Sequence, residues 1–174
     1  MFSPTILISN LGARDRTLFR RWALTDTSRR ARTLWTILTN VGGATFTILA
    51  TTLPLLLGGD VAAVARQALI TLAVSHVIVQ VIKRTVGRPR PSRGRGGRAL
   101  VVEPDRFSFP SGHAAAAMSV AFVYATAYPS LAVPLVVFAG AVGVSRVFLG
   151  VHYPGDVLIG QIIAVITGLF ALHM

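Results

Sequence analysis

Three short stretches of this sequence carry side chains whose types and spacing can do chemistry. "KRTVGRPRP" (83–91) places two cations, Lys83 and Arg90, at either end of a short run. Such a pair can clamp the oxygens of a phosphate group, or it can meet lipid headgroups where a helix ends. "PSGH" (110–113) opens an alanine-rich apolar run. Ser111, Gly112 and His113 can form an anion site at a helix amino terminus, where unpaired N–H groups and the positive end of the dipole point at a ligand. They can also be an N-cap serine followed by a snorkelling histidine. "SRVFLGVHYPGD" (145–156) contributes Arg146, His152 and Asp156. There the choice lies between a nucleophile with its orienting carboxylate and a polar loop with an acid at a helix start.

The elements that must position these groups are strongly apolar. Of 174 residues 53% are hydrophobic and 13% charged, and mean hydropathy is +0.65, which excludes an ordinary soluble domain of this length. One membrane-embedded domain over residues 1–174 is expected. Net charge is +11, with 17 basic residues. They flank apolar spans and no nucleic-acid motif accompanies them, so the partners are an anionic lipid surface or a phosphorylated substrate, not nucleic acid. With no cysteine there is no disulfide framework and no thiolate metal site.

Five spans are predicted, at Thr33–Leu57, Val61–Ile82, Ser111–Ala127, Leu131–Arg146 and Gly155–Phe170. The amino end, 1–32, is too rich in arginine to cross and suits an amphipathic helix lying in the interface; it lacks the apolar core and cleavage site of a signal peptide. Residues 83–110 are rich in Gly, Pro and Arg and form an extramembrane loop. The fold class is therefore all-α: a polytopic membrane bundle of about five transmembrane helices plus an amino-terminal interfacial helix. Trp22, Trp35 and Tyr153 read as interfacial anchors, and His76 as a packed or hydrogen-bonded core residue. Alternating spans bring Lys83, Ser111, Arg146 and Asp156 to one face, so the three polar clusters meet.

The order and internal spacing of those clusters resemble the type 2 phosphatidic acid phosphatase superfamily. The carrying residues are Lys83 with Arg90-Pro91, then Pro110-Ser111-Gly112-His113, then Ser145-Arg146, His152 and Asp156. The resemblance implies a phosphate pocket of Lys83, Arg90, Arg146, Ser111 and the Gly112 amide. It also implies His152 as a nucleophile forming a phosphohistidine, Asp156 holding its imidazole, and His113 as the acid at the leaving oxygen. Phosphoryl transfer is largely positioning and electrostatic stabilisation, and three fixed cations can stand where a metal otherwise would. No cofactor or metal is expected.

The implied substrate is a lipid phosphate in the bilayer: a polyprenyl phosphate or diphosphate, phosphatidic acid or phosphatidylglycerophosphate. A phosphotransferase using the same phosphohistidine, a non-catalytic phospholipid binder or transporter, and a metal hydrolase built on His113, His152, Asp105 and Asp156 are the alternatives. The five-span order puts 16 of the 17 basic residues on the face of the site, leaving Arg66 opposite. By the positive-inside rule that face is cytoplasmic, in the cell's inner membrane. Oligomeric state and the role of the Arg93–Arg98 loop are not legible.

Overall fold

The protein is described by a computed structural model covering residues 4–23, 28–93, 99–103 and 105–173, with side chains from residue 12 onward. The fold is all-helical. Its helices are α1 (Pro4–Trp22), α2 (Arg29–Val41), α3 (Ala44–Thr52), α4 (Gly59–Val86), α5 (Gly112–Ala127), α6 (Ala132–Phe148) and α7 (Pro154–Ala171). Short 3-10 turns at Leu53–Leu57, Pro91–Arg93 and Pro129–Leu131 join them.

Large apolar side chains such as Val77, Val81, Val137, Leu158 and Phe170 face outward, as they do when lipid is the solvent. The interior is built from small residues instead. α5 sits at the centre against α3, α4, α6 and α7, burying Ala114, Ala115, Ala117, Ala121 and Ala125. Close approach of backbones drives helix association in lipid, where no hydrophobic term separates one helix from another. Gly143, Gly160 and Gly168 permit such approaches; a Cβ on Gly168 would lie 2.5 Å from Phe122. Ser75 and Ser119 add a buried 2.8 Å hydrogen bond between α4 and α5.

The predicted spans need three corrections. The first does not run straight from Thr33 to Leu57. Ser28 accepts from the Ala31 amide and starts α2 at Arg29, and the paired glycines 42 and 43 bend the span by 41° between α2 and the segment Ala44–Leu57. Gly42 is required there, because a Cβ would fall 2.2 Å from Val142 of α6. Secondly, the basic amino end is not one helix: Arg29, Arg30 and Arg32 belong to α2, and residues 24–27 lie outside the described ones. Thirdly, α4 runs on to Val86 and stops at Gly87, whose φ of 61° is left-handed and suits glycine. Among the described residues three helical segments are long and apolar enough to cross a membrane, at Gly59–Val86, Pro129–Phe148 and Pro154–Ala171; the bent pair makes a fourth. The expected third span, α5, has 16 residues and is shorter than these.

His76 is exposed on the outer side of α4, not in the core, and meets Gln80 at 3.4 Å between Nε2 atoms. Trp22 is exposed, while Trp35 lies edge-on to Phe148 at 4.6 Å.

Candidate active site

Two helix carboxyl ends and two helix amino ends converge at one end of the bundle. α4 contributes Lys83 and α6 contributes Arg146 from their last turns; α5 begins with Gly112 and His113, and α7 carries Asp156 in its first turn. Cations at the former, and Asp156 at the start of α7, agree with the helix dipoles. The intervening loop folds back on itself, Ser108 donating its amide to the Arg88 carbonyl at 2.8 Å, and so carries Arg90 inward.

Polar burial here is severe. Arg90 and His152 each expose 1% of their surface, Arg146 2%, Lys83 4% and Asp156 none. Buried charge is tolerated only when paired and hydrogen-bonded, so the partners of each group are informative. Lys83 Nζ lies 2.6 Å from Asp105 Oδ2, and Arg90 Nη2 3.0 Å from Asp105 Oδ1. Arg90 also donates to the Asp105 carbonyl at 2.7 Å and to the Val151 carbonyl at 2.9 Å. Burial alone would raise the Asp105 carboxyl, but the hydrogen bond and charge of Lys83, followed by the charge of Arg90, outweigh it and hold the group below its ordinary range.

Arg146 has no such carboxylate. Its Nη1 donates to Thr39 Oγ1 of α2 at 2.8 Å, while buried Nε and Nη2 have no partner among the described residues. Lys83, Arg88 and Arg90 thus face Asp15, Asp105 and Asp156 in the linked ion pairs, and the Arg146 guanidinium stands outside them, with no carboxylate in salt-bridge reach among the described residues.

His152, in the loop between α6 and α7, has its proton placed by its neighbours. Arg90 Nη1 lies 3.1 Å from His152 Nε2; a guanidinium can only donate, so Nε2 is the acceptor and the neutral ring carries its proton on Nδ1. Nδ1 faces Asp156 Oδ2 at 3.6 Å, longer than a hydrogen bond. Burial first, then the charges of Arg146, Arg90 and Lys83, hold His152 well below the ordinary histidine range. Asp156 spends its tighter bonds elsewhere: Oδ1 accepts from Arg88 Nη1 at 2.7 Å and Oδ2 from the Tyr153 amide at 2.9 Å.

Ser111 caps α5, its hydroxyl accepting from the Ala114 amide at 3.5 Å, and its own amide donates to the Asp156 carbonyl at 2.9 Å. Gly112, the first residue of α5, supplies one of the N–H groups a helix start leaves without an intrahelical acceptor. His113 is half-buried within electrostatic reach of Arg146, His152, Lys83 and Arg90. It lies against the glycine bend, 3.4 Å from where a Cβ on Gly43 would be. All eight residues singled out in the sequence, Lys83, Arg90, Ser111, Gly112, His113, Arg146, His152 and Asp156, therefore gather at this one end.

Residues 65–174 match the PAP2 superfamily. The chain belongs to that superfamily. It is 38% identical over 98 residues to a decaprenylphosphoryl-5-phosphoribose phosphatase of Mycobacterium tuberculosis, covering 55% of this chain and 52% of the relative. It is 32% identical over 99 residues to the undecaprenyl-diphosphatase BcrC of Bacillus subtilis, covering 57% and 51%. The matched region thus spans about half the length of these relatives. The crystal structure of LpxE from Aquifex aeolicus has the same fold, with a TM-score of 0.79 over 91% of this chain and 94% of that one at 24% identity.

Several residues of this PAP2 site escaped the sequence reading. Asp105, a candidate metal ligand on sequence, pairs with Lys83 and Arg90 instead, and Asp156 faces Arg88. Among the described residues His, Asp and Glu nowhere gather in threes that could hold a metal ion. Tyr153, expected as an interfacial anchor, lies under the Arg88 guanidinium at 4.0 Å and meets Phe19 edge-on at 5.4 Å. Thr39 gave no signal as one threonine in an apolar span. Arg88 is masked in the sequence by Arg90, the other arginine of "RPRP". Asp15 did carry one, being a lone acid between two arginines of a basic helix.

Proposed function

We propose that this chain is an integral-membrane lipid phosphatase that works through a phosphohistidine and needs no metal. The observation that carries the reading is Arg146: a buried guanidinium with Nε and Nη2 unpartnered, beside a neutral histidine, calls for an anionic ligand at that spot. A phosphoryl group supplies that charge. Its oxygens would be held by Arg146, Lys83 and Arg90, with Ser111 and the Gly112 amide at the helix start.

Chemistry follows from what the ligand displaces. In the free protein the His152 Nε2 lone pair is engaged by Arg90. A phosphate oxygen that takes over this donor releases the lone pair towards phosphorus. The N–P bond forms as the bond to the lipid oxygen breaks, and His113 protonates that oxygen as it takes the electron pair. Water then attacks phosphorus, His113 accepts its proton, and the N–P electron pair returns to Nε2 as inorganic phosphate leaves. Asp156 keeps the proton on Nδ1 through both steps; its 3.6 Å separation is of the kind that tightens when substrate is bound.

The substrate is a lipid phosphate. An apolar groove of about 230 Å³ between α3, α5 and α6 includes Ala117, one turn along α5 from His113. The names of the relatives favour polyprenyl-linked phosphates, so decaprenylphosphoryl-5-phosphoribose and undecaprenyl diphosphate head the panel, with phosphatidic acid and phosphatidylglycerophosphate. The test is phosphate release by the purified protein over that panel. His152→Ala abolishes turnover; release near the parent rate by this variant overturns the phosphohistidine.

The same reading places the site on the cytoplasmic face of the inner membrane, since Arg66 is the one basic residue of the sequence assigned to the other side. Single cysteines at Ser92 and Ser130 in this cysteine-free chain, probed in intact cells with an impermeant thiol reagent, decide it. Labelling at 130 and not 92 supports the placement, and the reverse overturns it.

A further inference from the structure

Asp156 is held in turn by a chain of contacts that reaches the amino-terminal helix. Asp156 is fully buried, and its directly hydrogen-bonded cation is Arg88, at 2.7 Å. That guanidinium has a second carboxylate on its other arm. Arg88 Nη2 lies 2.7 Å from Asp15 Oδ2 of α1, and Asp15 Oδ1 accepts from the Gly155 amide at 2.8 Å. Asp15 therefore satisfies an N–H of the same first turn of α7 that presents Asp156.

The approach is close by construction. A Cβ on residue 155 would stand 3.0 Å from Asp15 Oδ2, a contact glycine avoids. One turn along α1, Phe19 packs edge-on to Tyr153 and against Ala114, Val147 and Val157, while Arg14, Arg16, Arg20 and Arg21 remain outside. Asp15 and Phe19, four residues apart, form the inward stripe of the helix.

We propose that Asp15 and Arg88 are positioning residues: the amino-terminal basic helix completes the active site by fixing Asp156, and through it the His152 imidazole. This rests on the reading of His152 as nucleophile. With Oδ1 tied to Arg88 and Oδ2 to the Tyr153 amide, the carboxylate cannot rotate, and Oδ2 stays facing Nδ1. Arg88 also keeps the two carboxylates from repelling one another. The charged and titratable groups around Asp156 are Arg88, His152 and Tyr153, with Asp15 and Arg16 on α1 and Lys83, Arg90 and Arg146 behind His152.

The test uses the full chain in phosphatidylcholine vesicles with the lipid phosphate it turns over best. Arg88→Gln lowers kcat by about 10–100-fold, as loss of an orienting partner does, with KM little changed. It also moves the acid limb of the kcat–pH profile to higher pH, because a positive charge beside the carboxylate is gone. Arg88→Lys keeps the charge without the fork and recovers part of the loss. Asp15→Asn retains an acceptor for Gly155 but not the ion pair; it costs up to about fivefold in the parent and nothing further in the Arg88→Gln background.

Equal costs of Asp15→Asn in both backgrounds would overturn the coupling, and a raised KM at constant kcat would make Arg88 a phosphate ligand instead. Asp15→Asn carries the test if Arg88→Gln does not fold, its unmoved acid limb then counting against the proposal. A parent that releases phosphate from no lipid sinks the phosphatase reading separately. The positioning is then read from the imidazole ¹⁵N spectrum of His152, whose Nδ1 resonance shifts in Asp15→Asn if the chain of contacts holds and stays put if it does not.

Discussion

Gly160→Ala is a one-methyl perturbation outside the chemistry whose effect can be worked from the structure. A Cβ on Gly160 of α7 would lie 2.6 Å from the Ser111 carbonyl oxygen, about 0.8 Å inside the 3.4 Å at which such contacts become ordinary. That oxygen cannot swing aside. It accepts from the Ala115 amide at 3.0 Å, and the Ser111 amide donates to the Asp156 carbonyl at 2.9 Å, so α5 and α7 must part along the line joining the phosphate end of one to the carboxylate of the other. Overpacking of this kind costs about 1–3 kcal/mol. A misplacement of about 1 Å near reacting atoms costs on the order of 100-fold in rate; sharing the movement between two helices gives about tenfold or more in kcat. Gly140→Ala is the control, since nothing lies within 4 Å of its Cβ and helix propensity alone should leave it between unchanged and about 1 kcal/mol more stable. Thermal unfolding in detergent and initial phosphate release measure both. Alanine is the better helix former by about 1 kcal/mol, so propensity acts in the opposite direction to the collision. Parent-like stability and kcat in Gly160→Ala, or equal damage from Gly140→Ala, would refute the argument.

Asp105→Asn frees Lys83 and Arg90 for ligand. Ion-pair hydrogen bonds of this kind are worth roughly 1–2 kcal/mol after discounting for exposure, the Asp105 side chain being 33% exposed, so vanadate should inhibit the variant about tenfold more tightly; an inhibition titration showing no change counts against competition. Exhaustive chelation leaves the parent's activity intact, because fixed cations occupy the positions a metal would serve; a loss restored by Mg²⁺ or Zn²⁺ refutes this. The lowered affinity of His152 for protons makes the native state bind fewer protons than the unfolded chain. Its contribution to stability is present above the unfolded value of about 6.5 and is lost as pH falls through the lower native value. A ¹⁵N titration of the free protein should show this ring neutral through pH 6.5, and a midpoint there would contradict the assigned environment.

What the sequence revealed and what it concealed follow from the range of the interactions involved. Alternating apolar spans impose the common face, so the sequence alone places Lys83, His113, Arg146 and His152 together. The glycine bend at 42–43 was visible as two residues, but its meaning depends on Val142, a hundred positions away on α6. His76 was misplaced because a lone polar residue within a span gives no sign of which side of the helix it occupies. Asp105 and Arg88 were harder still. Carboxylate and guanidinium each stood among many charged neighbours in a Gly- and Pro-rich loop, and only the backward fold of that loop onto Pro89 decides who meets whom.

The charge distribution explains why so small a bundle can hold this site at all. An uncompensated buried guanidinium costs several kcal/mol, and Arg146 is fixed by a neutral threonine from α2 instead of by a carboxylate. Were an acid placed there, Arg146 would be more stable in the free protein, and a phosphate bound as proposed would have to displace it, as it would displace Asp105 from Lys83 and Arg90. On the proposed phosphatase reading the cations then fall into two kinds: Lys83 and Arg90, whose charge Asp105 covers in the free protein, and Arg146, whose charge no carboxylate among the described residues covers. Small-residue contacts along α5 and α7, which need no charge to be satisfied, supply the rigidity that keeps the uncovered cation from being relieved by local movement.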